Sequence, residues 1–471
     1  MGTLPPVVEI LQPDQSIGEV PVVVRGLSWL EPIRGLLDPP FPQARAEWPF
    51  VLPDGSVVCA CLDLADQAPD GSLRVLAFDR GANVKGARSI PDWLPAGGTS
   101  YLGDVVLNPF GTSIVATTAI QAGATWDLRV AVIPIDPDAP VMERTTTGLD
   151  LSMVGEPPRL DLHSYVSPDG RRLRISIERV GDDLNPVAGA ARSWLVPLSA
   201  AAVGPPAEIA DPWADTSSQV CTQRAWARTT LFVQICRSTQ ADESGARATF
   251  LRLDGGRGHG TEIGLSSLPS DDPEGWLVDG TNGIVYGWSA TTHHLYRVDL
   301  ATGVVRDRIL GQGVGEPLDP AHDPIEASPP PEGSERVLWQ PLVSAGQPTM
   351  SPLVGSPDGR LLYAAGLAWQ PGVVSPGMGT TGIWVFDAAS MAVVGHWGAA
   401  ANYQALGLTP GGRFVMGVGG PGNDEFSAFG NHGSELALHD RTDGSVVEIL
   451  RQLDLRLGGV PYLLPIGGAT G

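Results

Sequence analysis

Residues 356–363 read Ser-Pro-Asp-Gly-Arg-Leu-Leu-Tyr, a tight turn that leads directly into an apolar run. Each turn residue has its own physical role: Pro presets φ, Asp bonds the backbone two residues on, and Gly accepts a positive φ. Similar turns between short apolar runs recur at steps of about 55 to 60 residues, apart from one wide gap and one stretched step. The other members are Pro53-Asp54-Gly55, Pro109-Phe110-Gly111, Pro168-Asp169-Gly170, Asp279-Gly280 and Pro410-Gly411-Gly412. This spacing indicates one repeated unit of strands and turns.

A second turn signature follows the first in three of the repeats. Asp299 begins the turn Asp-Leu-Ala-Thr-Gly, Asp387 begins Asp-Ala-Ala-Ser, and Asp440 begins Asp-Arg-Thr-Asp-Gly. Runs near these turns alternate apolar and polar residues with a period of two, which is typical of strands and not of helices. Two turn signatures in fixed order within one period predict an all-β fold, a seven-bladed β-propeller of four-stranded antiparallel blades.

The repeat divides the chain into three segments. Residues 1–44 form an N-terminal extension, residues 45–453 hold the seven blades, and residues 454–471 form a C-terminal tail. Closing the ring removes exposed strand edges, so we expect one terminal strand to complete a blade. Two apolar runs compete for this role, residues 20–24 in the extension and residues 460–464 in the tail.

Several stretches resemble known propeller repeats. Residues 167–171, Ser-Pro-Asp-Gly-Arg, and the related stretch 356–363 resemble YVTN-type repeats, and residues 382–387, Gly-Ile-Trp-Val-Phe-Asp, are similar to the third strand of that repeat. Residues 351–453 also resemble the seven-bladed heavy chain of quinoprotein amine dehydrogenases. That resemblance implies a fold and not an active site, because in those enzymes the redox cofactor is made on a separate light chain. Lactonases and plain binding proteins belong to the same broad group.

The charge of the chain narrows the range of partners. It carries 52 acidic and 30 basic residues, which gives a formal net charge of −22. An acidic surface repels phosphate groups, so nucleic acid and anionic membranes are excluded as expected partners. No run of 18 apolar residues is present, so the sequence predicts no membrane span.

The prediction of the cellular location rests on the first residues of the sequence. The first residues, Met1-Gly2-Thr3-Leu4-Pro5-Pro6, lack the basic and apolar regions of a signal peptide. We expect a periplasmic or extracellular protein whose signal peptide is absent from this sequence, and a cytoplasmic location is the open alternative. The oligomeric state is not indicated by the sequence.

Two of the four cysteines lie at matching positions around a turn. Cys221 and Cys236 occupy two runs whose midpoint falls in the turn near Ala227-Arg228, so they could face each other across a hairpin. A disulfide and two buried thiols are both consistent with that placement. Cys59 and Cys61 alternate along one strand, a poor geometry for a disulfide, and are predicted to be small buried residues.

Long connections are concentrated on one face of the predicted ring. A propeller places its second-to-third and blade-to-blade connections on one side, called here the long-loop face. Loops of this length are typical of functional segments, so we predict that any binding site lies there. The long connections are residues 180–192, 237–246, 311–347, 368–381 and 419–434.

One long loop gathers polar groups that could bind an ion. Residues 419–434 contain Asn423, Asp424, Glu425 and His432 together with two aromatic residues. Oxygen ligands of this kind suit Ca²⁺ or Mg²⁺, although the EF-hand spacing is absent. A solvated polar loop is the alternative interpretation.

Histidines supply a second set of candidate ligands. His163 is predicted just before the first strand of blade three, at the mouth of the channel, and His322 and Asp323 lie in the Pro-rich insertion. If the loops fold inward, His163, His322 and His432 could converge on a transition metal or Zn²⁺. Dispersed histidines usually do not converge, so the metal site remains one of two open readings.

The sequence contains no catalytic motif, and we assign no catalytic residue. The leading prediction is an extracytoplasmic binding or scaffold protein that engages a partner protein or a small-molecule ligand through its long-loop face. The alternatives are a lactonase-like or redox enzyme with a metal held by His163, Asp424, Glu425 and His432, or the propeller subunit of a redox complex. The cofactor is unknown, with Ca²⁺ or a transition metal as candidates.

Overall fold

The protein, seen in a computed structural model, is built from short strands joined by turns. Among its described residues there is no helix, and so none that could cross a membrane. The described residues are 8–10, 22–25, 45–52, 56–63, 71–78, 84–94, 100–151, 160–180, 186–199, 202–209, 219–228, 231–238, 246–254, 257–264, 275–280, 282–289, 293–300, 302, 304–310, 339–342, 352–366, 382–398, 401–409, 412–421, 435–451 and 461–463.

Within the described residues, seven antiparallel sheets follow one another along the chain, after two short N-terminal strands. Those two strands are β1 (Val8–Ile10) and β2 (Val22–Arg25). Blade one contains β3 (Arg45–Val51), β4 (Val57–Asp63), β5 (Leu73–Phe78) and β6 (Val84–Ile90). Blade two contains β7 (Ser100–Leu107), β8 (Ser113–Ala122), β9 (Thr125–Pro134) and β10 (Met142–Leu149). Blade three contains β11 (Leu160–Val166), β12 (Arg172–Val180), β13 (Pro186–Pro197) and β14 (Ala207–Ile209).

The remaining blades repeat this order, and a last short strand follows them. Blade four contains β15 (Gln219–Arg228), β16 (Leu231–Ser238), β17 (Ala246–Asp254) and β18 (Arg257–Gly264). Blade five contains β19 (Gly275–Asp279), β20 (Ile284–Ser289), β21 (His294–Asp299), β22 (Val305–Ile309) and β23 (Trp339–Leu342). Blade six contains β24 (Leu353–Gly355), β25 (Leu361–Gly366), β26 (Gly382–Asp387) and β27 (Val393–Trp397). Blade seven contains β28 (Ala401–Leu408), β29 (Phe414–Pro421), β30 (Glu435–Asp440) and β31 (Val446–Arg451), and β32 (Pro461–Leu463) ends the series.

The first strand of each blade lies toward the centre of the ring. First strands of successive blades contact one another, as β7 does with β11, β11 with β15, and β19 with β24. Each blade then continues outward through antiparallel neighbours in chain order. The predicted all-β propeller of four-stranded antiparallel blades is therefore confirmed, and the first strands lie nearest to the channel that a propeller has at its centre.

The Pro-Asp-Gly turns form as the sequence predicts. Ser167 Oγ donates a hydrogen bond of 2.6 Å to Asp169 Oδ1, and Gly170 has a φ of +65°. Ser356 and Asp358 make the same contact in blade six. The buried serine and the aspartate thus fix each first-to-second turn from within.

The second turn signature is also confirmed by its hydrogen bonds. The N–H of Ser390 donates to Asp387 Oδ1 at 2.8 Å, and the N–H of Thr442 donates to Asp440 Oδ1 at 2.8 Å. Gly444 closes the second of these turns with a φ of +75°. Local side-chain hydrogen bonds of this kind explain why Asp begins these third-to-fourth turns.

Apolar side chains fill the space between most blades. Between blades two and three, Leu162, Ile175 and Trp194 pack against Val115 and Leu128 in one buried cluster. A sheet with a neighbour on each side, such as blade three, is thus covered on both faces, unlike a sheet with one face in water. A polar residue at an alternate position in such a strand is consequently buried as well.

Blade five contains a strand that the sequence analysis missed. The prediction treats residues 311–347 as one long loop, but β23 lies within that range and pairs with β19, with Val278 opposite Gln340. Since β19 is the first strand of its blade, β23 adds a fifth strand on the channel side, next to β15 and β24. The loop prediction is wrong for β23, and the rest of that range lies outside the described residues.

The two ends of the chain meet in one small sheet. β2 pairs with β1 on one side and with β32 on the other, and Val23 lies opposite Leu463. β32 also contacts β28 and β29 of blade seven. The two competing runs, residues 20–24 and 460–464, therefore pair with each other, and the sequence analysis did not consider that outcome.

Candidate functional site at the inner strands of blades two to four

Of the seven predicted binding residues, only His163 falls within the part of the chain that the structure describes. It lies inside β11 and not before the first strand of blade three, because that strand begins at Leu160. The predictions for the other six remain predictions, since those residues lie outside the described residues. They are His322, Asp323, Asn423, Asp424, Glu425 and His432.

His163 faces a carboxylate of the neighbouring blade. Its Nδ1 lies 3.5 Å from Asp104 Oδ2, an ion-pair distance that is longer than a good hydrogen bond. The same Oδ2 accepts a 3.1 Å hydrogen bond from the backbone N–H of Ser164. The two side chains remain 13% and 16% exposed, so this pair lies at the edge of the channel and not deep in the core.

A backbone irregularity brings Asp104 into reach. The register of β7 against β8 shifts between Leu102 and Val105, and Asp104 lies in this stretch. Bulges of this type redirect a side chain and are frequent beside functional sites. The bulge thus allows an inner strand of blade two to present a carboxylate to blade three.

Gly103 permits the close approach of the two blades. A Cβ at this position would lie 2.2 Å from Thr117 Oγ1 and 2.6 Å from Leu162 Cδ2, so no side chain fits there. Thr117 Oγ1 in turn lies 2.7 Å from Ser164 Oγ, which joins the blades by a buried hydrogen bond. Glycine is needed here for its size and not for a special backbone angle.

One face of blade three carries polar residues on both of its inner strands. Residues directly opposite each other in an antiparallel pair share a face, and so do every second residues along a strand. The polar pairs in the register of β11 against β12 are Asp161 with Glu178, His163 with Ser176, and Tyr165 with Arg174. This face meets blade four, whereas the opposite face carries the apolar cluster shared with blade two.

Glu178 is held by an arginine of blade four. Arg224 Nη1 binds Glu178 Oε1, and Ser176 Oγ donates a 3.1 Å hydrogen bond to the same oxygen. The two charged side chains are only 7% and 3% exposed, which makes this a buried ion pair. Burial alone would raise the pKa of Glu178, but Arg224 and His163 hold it below its usual range.

A second buried arginine supports the same interface. Arg174 lies with its Cζ 4.0 Å from the ring centroid of Phe232. Its Nη2 donates to Ser193 Oγ at 3.3 Å and to Gln234 Oε1 at 3.4 Å. Because Arg174 is fully buried and lies farther from the long-loop face, we assign it a packing role between blades three and four.

The surrounding charges favour the protonated form of His163. Burial alone would lower its pKa, but the nearby carboxylate of Asp104, with a contribution from Glu178, raises it above the usual value. Arg224 opposes this change only in part. His163 is therefore protonated over a wider pH range than a free imidazole.

Asp161 is the group of this face that is most open to solvent. It is exposed, yet the surrounding strands raise its pKa by desolvation, and the negative charges of Glu178 and Asp104 act in the same direction. His163 opposes that shift. Asp161 thus presents a carboxylate with altered acidity to the channel, which is a common property of functional sites.

We call Asp104, Asp161, His163, Glu178 and Arg224 the channel cluster. It lies near the ends of β11 and β12 that lead into the blade-to-blade and second-to-third connections, where Leu160 pairs with Arg179. These are connections of the long-loop face. The second-to-third connection of blade three is shorter than predicted, because β13 already begins within residues 180–192.

The chemistry of the channel cluster is that of a polar binding site. Two carboxylates and an imidazole border the channel, and the Glu178–Arg224 pair supports them from behind. No group of three His, Cys, Asp or Glu side chains is placed to hold a metal ion in the described ranges. The cluster can accept hydrogen bonds through Asp104 and Asp161, which are the groups nearest to solvent.

Sequence reasoning found one member of the cluster and missed the other four. A signal was present in residues 172–178, Arg-Leu-Arg-Ile-Ser-Ile-Glu, whose alternate positions are polar. Such a pattern usually indicates a strand with one face in water, but a propeller blade is covered on both faces. On the second strand of a propeller blade, the same pattern therefore predicts buried charged side chains. Each of these needs a partner of opposite charge, as Glu178 has in Arg224.

The cysteines are described in part. The register of β15 against β16 places Cys221 opposite Cys236, as expected for residues facing each other across a hairpin. Cys59 is buried, and its Sγ donates to Ala60 O at 3.5 Å. The disulfide itself remains a prediction at this point.

The similarity of the chain to known proteins is weak. No protein-family model matches the chain, and no curated protein matches it. A TolB protein from Agrobacterium tumefaciens is 14% identical, with 68% of this chain and 92% of that chain covered and a TM-score of 0.31. The dihydro-heme d1 dehydrogenase NirN is 12% identical over 93% of this chain and 78% of that chain, with a TM-score of 0.35. The Cps50 (Swd1) β-propeller domain of Myceliophteria thermophila is 10% identical over 88% and 87%, with a TM-score of 0.31.

Proposed function

We propose that the protein is an extracytoplasmic binding or scaffold protein that holds a small polar ligand at its channel cluster. The supporting observation is that charged side chains meet on the inner strands of blades two to four, next to the channel. Taking charges out of water is costly, and apolar residues of similar volume would stabilise the interface at least as well. Retaining the charges is therefore better explained by binding than by stability.

The ligand class follows from the groups that reach solvent. Asp161 is exposed and Asp104 is partly exposed, and an ionised carboxylate is an acceptor of hydrogen bonds. A ligand with several N–H or O–H donors, such as an amine or a polyhydroxylated molecule, matches this pattern. A dicarboxylate would meet repulsion from the same groups.

The proposal is tested by a thermal-shift screen with three probe classes: aliphatic diamines, hexoses and dicarboxylates. We expect diamines or hexoses to raise the melting temperature of the native chain and dicarboxylates to have no effect. For the best probe, titration calorimetry should show that Asp161→Asn weakens binding at least about tenfold, since a hydrogen bond to a charged group contributes about 1.5–3 kcal/mol.

Asp138→Asn is the matched control, because Asp138 is an exposed acid in the third-to-fourth turn of blade two, on the opposite side of the ring. It should bind the probe as the native chain does. Equal affinity of Asp161→Asn and the native chain would contradict the proposed site. A response only to a macromolecular partner would favour the scaffold function over small-ligand binding.

We also propose that the chain is a distant relative of YVTN-type propellers. The support is the Ser-Pro-Asp-Gly-Arg turn, which recurs in blades three and six with the same Ser-to-Asp hydrogen bond. A profile built from relatives of residues 351–453 should align both turns with one repeat position. A profile that aligns only one of them would contradict this relationship.

A further inference from the structure

The hairpin of blade four brings two cysteines together. Cys221 on β15 lies directly opposite Cys236 on β16. Opposed residues of an antiparallel pair have Cα atoms about 4.5–5.5 Å apart, which falls within the range of about 4.4–6.8 Å that disulfides span. The backbone therefore already has the spacing that a cross-link requires.

The same register connects this pair to the channel cluster. On β16, Gln234 and Cys236 are two residues apart and so share a face. Gln234 is opposite Arg224, and a shift in register between Cys221 and Gln223 puts Cys221 on that face as well. On this face of the hairpin, the cysteine pair is thus the next cross-strand pair after Arg224 and Gln234, and it lies nearer to the long-loop face.

We propose that Cys221 and Cys236 form a disulfide that fastens β15 to β16 beside the channel cluster. The two thiols lose two electrons and two protons to a small disulfide oxidant such as oxidised glutathione, which is reduced to two thiols. The bond fixes the strand that carries Arg224 and so restrains the partner of Glu178. A structural disulfide also requires an oxidising compartment, in agreement with the proposed extracytoplasmic location.

The first test counts thiols. The chain has four cysteines. After equilibration with oxidised glutathione and denaturation at acidic pH, which prevents exchange, we expect two reactive thiols without reductant and four after reduction. Peptide mapping should find Cys221 linked to Cys236. Four reactive thiols before reduction, or any other linked pair, would overturn the proposal.

The second test separates a disulfide from two independent buried thiols. We compare Cys221→Ala, Cys236→Ala and the double variant by their denaturant midpoints under oxidising conditions. If the bond exists, either single variant removes it, so the double variant should lose no more stability than the worse single variant. Losses that add would show that the thiols act separately.

Neither test involves a ligand. A failure of the thiol count would therefore leave the proposed binding site untouched, and a failure of ligand binding would leave the disulfide untouched.

Discussion

The interface between blades three and four and the interface between blades six and seven both bury polar side chains, but they satisfy them differently. The first is built around the ion pair of Arg224 and Glu178. At the second, the ring of Trp397 in blade six stacks on His439 in blade seven. Within blade seven, His439 Nε2 accepts a 2.8 Å hydrogen bond from the Tyr403 hydroxyl and its Nδ1 donates to Gly444 O at 3.0 Å. At the first interface, a charge on one blade is neutralised by the opposite charge on the next blade. At the second interface, the buried polar groups are neutral.

The pKa values of His163 and His439 differ in the same way, because one histidine lies beside charged groups and the other beside neutral ones. Asp104 and Glu178 outweigh burial and raise the pKa of His163. At His439, burial dominates and lowers the pKa, with only a partly opposing hydrogen bond to Gly444. A neutral histidine, held by hydrogen bonds within its own blade, is sufficient at the contact with the next blade. The comparison teaches that the charge in blades three and four is not needed for packing, which supports a role in binding.

The largest expected effect comes from breaking the buried ion pair. Arg224→Met leaves the Glu178 carboxylate buried and without its main partner, which should lower the free energy of unfolding by about 3–5 kcal/mol. The double variant Arg224→Met/Glu178→Met removes both charges and should recover much of that loss. Denaturant unfolding of the three proteins measures both changes.

An exposed ion pair in blade three provides the control for this experiment. Arg192 Nη1 lies 2.9 Å from Glu208 Oε1, with side chains 23% and 54% exposed. Arg192→Met should cost at most about 1 kcal/mol, because solvent screens such pairs. Equal losses for Arg192→Met and Arg224→Met would show that burial does not distinguish the two pairs.

A smaller effect is expected at the contact between blades two and three. Gly103→Ala places a methyl group against Thr117 and Leu162, and such overpacking typically costs about 1–3 kcal/mol. Because the same shift moves Asp104, we expect weaker ligand binding as well. Gly86→Ala, whose new Cβ would lie 3.9 Å from Pro137, should leave both stability and binding unchanged.

The neutral hydrogen-bond network of His439 in blade seven should respond more weakly still. Tyr403→Phe removes the donor to His439 Nε2 and should cost about 1–2 kcal/mol in urea unfolding. Tyr363→Phe is the matched control, because the buried Tyr363 hydroxyl has no hydrogen-bond partner among the described residues. Tyr363→Phe should be as stable as the native chain. An equal loss of stability in both variants would show that the hydrogen bond from Tyr403 to His439 contributes nothing specific.

The smallest expected effect is a pH dependence of opposite sign at the two histidines. The folded pKa of His163 is raised, so its contribution is fully present below its unfolded pKa of about 6.5 and is lost as pH rises through the folded value. The folded pKa of His439 is lowered, so its contribution is present above about 6.5 and declines as pH falls toward the folded value.

Denaturant midpoints at pH 5.5 and 8.5 measure this difference. His163→Gln should lose more stability, relative to the native chain, at the lower pH, and His439→Gln should lose more at the higher pH. The groups that face His163 are Asp104, Asp161, Glu178 and Arg224, and they are unchanged in both variants. Parallel pH profiles for the two variants would contradict the assigned charge states.

The fold was predictable because its signals are local. The hydrogen bonds of Ser356 and Asp358 arise within one turn, and the alternation that marks a strand lies within a few residues. The channel cluster was not predictable in the same way, because Asp104 and Arg224 reach blade three only through contacts between distant segments. β23 was missed for the same reason, since its pairing with β19 is not encoded in its own four residues.

The sheet shared by the two ends has a consequence for the order of events in synthesis. Val23 pairs with Leu463, so this pairing cannot form until the segment around Leu463 has left the ribosome. Joining such distant segments also carries a loop-closure cost in entropy, although that cost grows only slowly with length. Blades can form one after another during translation, but β2 waits for β32, and until then its unpaired edge is exposed and prone to aggregate.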